Sequence, residues 1–324
     1  MSATVLPFIQ QQMIRYGMTS YLILGLIGNI CNYIIFTNPW YRRTASSIYF
    51  LYISIFGIIY LIWSIAPFLY TLNNTDLQTQ SIFYCKVRLY GNISLGQCLR
   101  YFVVFACADR FFVTQANICI RSLNSIHTAI KFVVIITVAC FLINIHLPIF
   151  MDVRDGVCGQ FGLYKLIYAF YQFTMIGILP PLLMSMFSIL TVYNLHQRYG
   201  FLRRLRQKDR YLLRMLIAEV IVNISVSIPY SIDIVYGAIT SYNINKSAQQ
   251  LEIEAFITFF TQFLVYFTGV VPFYLFTLTS KPFRRGFIYI LIRFYKKCFV
   301  RQIRINPSNV QSNTPIDSIR LINR

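Results

Sequence analysis

Apolar residues in this chain come in long unbroken runs, and polar ones gather in short stretches between them. Seven runs stand out, at 17–37, 47–70, 83–112, 129–150, 164–195, 210–238 and 254–279. A helix of about 20 apolar residues crosses the roughly 30 Å hydrocarbon layer of a bilayer, so each run predicts a membrane span. Strands would alternate apolar and polar positions, and these runs do not. The longer runs must tilt or project beyond the lipid. The third carries Arg100 and the fifth Pro180 and Pro181. Proline is tolerated in a membrane helix where neighbours re-satisfy the backbone. After the last run, Phe283, Phe287, Ile290, Leu291 and Phe294 recur at helical spacing, with Arg284, Arg285, Arg293 and Lys296 between them. That is the pattern of a helix lying on a membrane surface. The predicted fold is all-α: a polytopic membrane protein with a seven-transmembrane helix bundle at 17–280. A short N-terminal segment at 1–16 precedes it, and a short amphipathic eighth helix at 281–298 and a polar tail at 299–324 follow.

Composition agrees. Of 324 residues, 57% are hydrophobic and 12% charged, with a mean hydropathy of +0.58. A soluble domain of this size needs a charged surface, so this surface must meet lipid. The net charge of +19 would suggest nucleic acid in a soluble protein, but here it sits between spans. With the N-terminus outside, the cytoplasmic segments hold 22 Lys and Arg and the outer ones six: Arg15, Lys86, Arg88, Arg154, Lys165 and Lys246. The acids divide six outside and three inside, with Glu219 within the sixth span. All the net charge then falls on one face, the positive-inside distribution. An even number of spans would put the basic stretch after Lys281 on the wrong side. Met1 to Phe8 lacks a basic n-region and an apolar h-region, so the first span is expected to act as an uncleaved signal.

Cys31, Cys98, Cys107 and Cys140 fall within spans and read as small buried apolar residues. Cys85 and Cys158 alone fall outside, the oxidising side, so a Cys85–Cys158 disulfide is the natural pairing. It would tie the third helix to the loop after the fourth. The sequons at Asn73 and Asn245 lie in predicted outer loops, where glycosylation fits; those at Asn92 and Asn223 fall within spans and read as chance. Two readings of Cys298 stand level: palmitoylation beside the surface helix, or an unmodified thiol.

Asp109-Arg110-Phe111 closes the third span, with Arg110 25 residues after Cys85. This resembles the D-R-Y motif of rhodopsin-like (class A) G-protein-coupled receptors, with Phe111 in place of tyrosine. Gly28-Asn29 is similar to the family's first-helix pair. Gly57 stands where the family carries its sodium-binding aspartate, Pro229 matches the sixth-helix proline, and Ser227 replaces the usual tryptophan. Val271-Pro272-Phe273-Tyr274 keeps the seventh-helix proline and loses the asparagine; in another register Phe276 takes the tyrosine position. The likeness covers residues 17–298 and is closest in style to invertebrate peptide or FMRFamide-like receptors and orphan chemosensory receptors.

The resemblance implies a plasma-membrane receptor with a cytoplasmic C-terminus. It would bind an extracellular ligand, a peptide or other small chemical signal, and activate a heterotrimeric G protein as the cytoplasmic helix ends open. Arg110 is the expected switch, Asp109 its local partner. Asp209 is either a resting-state latch on Arg110 or a solvated acid. Arg100 and Glu219, ionisable at membrane depth, are expected to form a buried ion pair or to be satisfied separately. Asn92 sits where amine receptors carry aspartate, so a small amine would lack its counter-ion. Tyr230, Asp233 and Glu254 join Asn92 as candidate pocket residues. The outer acids Asp76, Asp152, Asp155, Asp233, Glu252 and Glu254 would attract a basic peptide or are ordinary loop charges. No lysine lies between Glu254 and Ser280, so no Schiff-base site for retinal exists there and no cofactor is expected. Ser308, Ser312, Thr314 and Ser318 offer phosphorylation sites to a kinase and arrestin, or are ordinary tail residues. His127, His146 and His196 have no metal-ligand spacing, and neither an enzyme nor a nucleic-acid partner is expected. A seven-helix transporter or channel, or a receptor-like protein that no longer signals, are the alternatives.

Overall fold

Most of the long helices have a face that meets solvent-like space with apolar side chains. On α1 (Val5–Thr37), Ile23, Leu24, Ile27, Ile30 and Ile34 are exposed, while Gly25, Gly28, Asn29, Asn32 and Phe36 are buried. The exposed row is the apolar one, the reverse of a water-facing helix. The same inversion recurs at Ile135, Val138 and Leu142 of α4 (Ile126–Phe150) and at Leu182 and Ile189 of α5 (Leu163–Gln197). These faces meet lipid, and the chain is an all-α multi-pass membrane protein.

The computed structural model describes residues 5–38, 44–115, 117–154, 156–197, 206–240 and 246–292, without the side chains of 118, 120 and 206–212. After α1 come α2 (Ala45–Tyr70), α3 (Ile82–Val113), α4 (Ile126–Phe150), α5 (Leu163–Gln197), α6 (Arg206–Ile239), α7 (Ala248–Val270) and α8 (Pro272–Thr279). A hairpin of β1 (Asp152–Arg154) and β2 (Val157–Gly159) joins α4 to α5. Among the described residues, six helices are long and apolar enough to cross a membrane: α1, α2, α4, α5, α6 through Leu213–Ile239, and α7. α3 is 32 residues long but carries Lys86, Arg88, Arg100, Asp109 and Arg110. Nineteen of those 32 residues are buried, because α2, α4, α5 and α6 pack around it. A central helix can keep charges that a lipid-facing one cannot.

Three details depart from the apolar pattern. The first helix starts at Val5, well before the expected boundary at 17, and runs through a π-helical segment at Met13–Met18. α5 widens into another π-helical segment, Phe173–Ile178, just before Pro180 and Pro181. Two missing N–H donors free the carbonyls four residues earlier, and the wider turn absorbs that mismatch. At Val271 the last long helix breaks before Pro272. There Phe36, Phe50, Phe276 and Phe283, all nearly fully buried, pack with ring centroids 4.9 to 6.2 Å apart. Phe276, one candidate for the seventh-helix tyrosine, is thus a core ring.

Polar side chains clasp helices across the lipid-inaccessible core. Asn29 Nδ2 donates to the carbonyls of Gly25 and Gly269, each at 2.8 Å. A Cβ at Gly57 would sit 2.8 Å from Asn29 Oδ1, so the glycine is what lets α2 approach α1. Asn144 Nδ2 donates to Gln97 Oε1 and the Cys140 carbonyl, and Tyr171 Oη donates to Asn144 Oδ1 at 2.8 Å. This joins α3, α4 and α5. Asn144→Ala is expected to cost about 1–3 kcal/mol, because it strips partners from buried polar groups. The thermal midpoint of the detergent-solubilised protein checks it; a midpoint within error of the parent would refute the clasp.

The chain divides into two units, Met1–Arg284 and Arg285–Arg324. Residues 281–292, the described part of the expected surface helix, are helical.

Candidate functional site

α3 carries both candidate sites, one near each end. At its first turn, Cys85 is disulfide-bonded to Cys158 of β2. The hairpin register pairs Asp152 with Gly159 and Val153 with Cys158. Gly156 turns the hairpin at a φ of 72°, a left-handed conformation that favours glycine. The disulfide holds β2 against α3, and Cys158, Gly159 and Gln160 wall one side of a cavity of about 450 Å³. That volume suits a small organic molecule.

Aromatic rings of Tyr60, Phe68, Tyr168, Tyr230 and Tyr266 form much of the wall. Three of the four expected pocket residues, Asn92, Tyr230 and Asp233, line it. Asn92 Oδ1 accepts from Ser64 of α2 at 2.5 Å. Asp233 Oδ1 accepts from Thr258 and Oδ2 from Thr261, at 3.3 and 3.2 Å. Glu254 does not line it. It pairs with Lys246 and accepts from Tyr236 Oη, because Lys246, just before α7, reaches the helix's second turn.

The cavity's charge runs opposite to the expectation from the outer acids. Asp76 caps the short helix Leu77–Gln80 by accepting from the Gln78 N–H. Asp152 pairs with Arg154, and the Val153 N–H with that arginine holds its carboxyl below the usual range. Asp155 lies outside the described residues. Among the described residues Asp233 is the one carboxylate on the wall, against Arg88, Arg100 and Lys165. The Arg88 guanidinium lies 4.9 Å from the centroid of the Phe68 ring, a cation–π distance.

Arg100 forms part of the cavity wall and is 3% exposed. Its Nη1 donates to the Gly96 carbonyl at 3.1 Å, and its Nε and Nη2 have no hydrogen-bond partner among the described residues. Glu219, also 3% exposed, borders a second, water-sized cavity of about 10 Å³ together with Arg100, Gly57 and Asn223. Asn223 Nδ2 donates to the Glu219 carbonyl at 2.9 Å and stands 3.5 Å from its Oε1. The expected Arg100–Glu219 ion pair is not formed: among the described residues, the ion pairs are Asp109–Arg110, Asp152–Arg154 and Lys246–Glu254. The reason is direction. Helical side chains lean toward their own N-terminus, and α3 and α6 run antiparallel, so the two side chains diverge.

At the other end of α3, Arg110 Nη2 donates to Asp109 Oδ2 at 2.9 Å, with both residues 4% exposed. Asp109 also accepts from Ser46 Oγ in the first turn of α2 and from Asn124 Nδ2. The carboxylate thus sits at the positive end of the α2 dipole. Phe111 packs against Phe187 of α5, with ring centroids 5.8 Å apart. Asn194 of α5 donates to Thr114 Oγ1 at 3.1 Å. Sequence reasoning missed Ser46, Asn124 and Asn194. The polar run Thr44 to Ser47 opening an apolar span was the available signal for Ser46.

Asp209 lies on α6, and its side chain is outside the described residues; so are Asn245 and Cys298. Asn73 is exposed in the turn after α2, open to modification. Asn223 is buried and Asn92 lines the cavity, so both in-span sequons face the protein interior. Cys98, Cys107 and Cys140 are buried free thiols, and Cys31 is half-buried.

The fold and site define a helical, multi-pass membrane protein with a disulfide-walled charged cavity near one end of its central helix and a buried acid–arginine pair at the other. No family model and no curated protein matches the chain.

Proposed function

We propose that the chain is a divergent rhodopsin-like receptor of the plasma membrane, spanning it seven times with α3 as the buried third span. In this reading the disulfide end is extracellular and the cavity takes the extracellular signal. The observation that carries it is that one helix bears Arg88, Asn92 and Arg100 on the cavity wall and Asp109–Arg110 at its far end. A ligand that binds one arrangement of α3 and α6 better than another shifts the population between them. Arg110 would then leave Asp109 and engage the G protein, as a permanent cation that trades one set of acceptors for another.

The test is guanine-nucleotide exchange in membranes from cells co-expressing the full chain with heterotrimeric G proteins. Exchange above mock-transfected membranes is expected. Arg110→Ala should return it to the mock level at equal surface expression, and Asp109→Asn should raise it. Exchange that is absent with every heterotrimer, or untouched by Arg110→Ala, sinks the receptor reading. Solute flux without exchange would favour a transporter.

A further inference from the structure

Among the described residues Arg100 forms no ion pair, yet it is buried. Among the described residues its Nε and Nη2 lack hydrogen-bond partners and no carboxylate lies within ion-pair distance, and its side chain borders the large cavity. Arginine stays protonated in proteins, and an isolated buried charge is strongly unfavourable. Such a group persists where something outside the chain compensates it. Arg88 and Lys165 add two further cations to the same wall, neither in an ion pair among the described residues. The opposing carboxylate, Asp233, accepts a threonine hydrogen bond on each oxygen and faces three cations on the same wall. The formal charge on the wall is +2.

We infer that the cavity binds an organic anion, its carboxylate or phosphate headgroup seated at the Arg100 guanidinium and its apolar body among Tyr60, Phe68, Tyr168 and Tyr266. The planar guanidinium fork matches either oxyanion with two parallel hydrogen bonds. Aromatic walls suit a flat or apolar body. Arg88 and Lys165 draw the anion in and disfavour amines. The inference deepens the receptor reading by naming the chemistry of its ligand, and it rests on this cavity being the ligand site.

The experiment measures binding alone, on the full chain purified in nanodiscs, by thermal unfolding. The probes share a phenyl body: 3-phenylpropanoate and phenyl phosphate as anions, 3-phenylpropan-1-ol as the neutral form and 3-phenylpropylamine as the cation. At millimolar concentration at least one anion should raise the midpoint by a few degrees, increasing with the logarithm of its concentration, and the alcohol and amine should not. Arg100→Met should unfold no lower than the parent without probe, because it removes an uncompensated buried charge, and should gain nothing from either anion. If Arg100→Met does not fold, Arg100→Lys, which keeps the charge and loses the fork, should retain only part of the anion shift.

No shift with either anion, an equal or larger shift with the alcohol or amine, or an anion shift that survives intact in the Arg100 variants would each overturn the inference. Anion binding without nucleotide exchange would sink the receptor reading and leave the site standing. Exchange in a protein that does not select anions would do the opposite.

Discussion

Asp109→Ala is expected to lower the unfolding free energy by about 3–5 kcal/mol, the range for breaking a buried ion pair by removing one partner. Three donors converge on this carboxylate: Arg110, Ser46 and Asn124. Truncation takes the acceptor from all of them in a site where water cannot replace it, and an orphaned buried donor costs more than a surface one. Asp109→Asn keeps an acceptor oxygen while losing the charge, so its loss should be smaller. Asp152→Ala, which removes the exposed pair with Arg154 and a hydrogen bond from the neighbouring Val153 N–H, should leave the midpoint nearly unchanged. Unfolding of the three variants in one detergent gives the order. An Asp109→Ala midpoint matching that of Asp152→Ala would show that the cluster holds nothing together.

The second large effect is expected at the other end of α3. Cys85 and Cys158 are separated by 73 residues, and closing a loop of that length is worth roughly 4 kcal/mol in the chain-entropy model. Helices that stay inserted already restrict the unfolded chain, so about 2–4 kcal/mol is expected for Cys85→Ser or Cys158→Ser. Reductant on the parent protein should give the same midpoint as either variant. The anion-dependent shift should fall as well, because β2 and Gln160 would no longer be held as a wall of the cavity. A parent protein indifferent to reductant, at a concentration shown to reduce the bond, would refute the stabilisation.

Much of the architecture was legible before any coordinates. Six of the apolar runs correspond to helices long and apolar enough to cross a membrane, because a bilayer imposes a length and a composition that a linear sequence displays directly. The remaining run, α3, needed the tertiary view: its charges make sense only once four neighbours surround it. The early start of α1 at Val5 was hidden, since its first turns lie beyond the most apolar stretch. The break at Val271 is local, set by Pro272, and belongs to the part a sequence can announce.

The sites divide in the same way. The Cys85–Cys158 bond followed from compartment logic, and the Asp109–Arg110 contact from adjacency along the chain. Arg100, Glu219 and Glu254 were recognisable as expensive or conspicuous charges, but their partners were not. Glu254 is claimed by Lys246, eight residues earlier, and Arg100 and Glu219 lean apart. By itself, then, the sequence determined the solvent this protein inhabits, its helices and the cysteines that meet, since each depends on local composition or on a short list of candidates. Only the tertiary structure decided which charges pair, that Ser46 and Asn124 close around Asp109, and that the cavity is positive. Those outcomes depend on the rotation and direction of each helix against its neighbours, which a pattern along one chain does not encode.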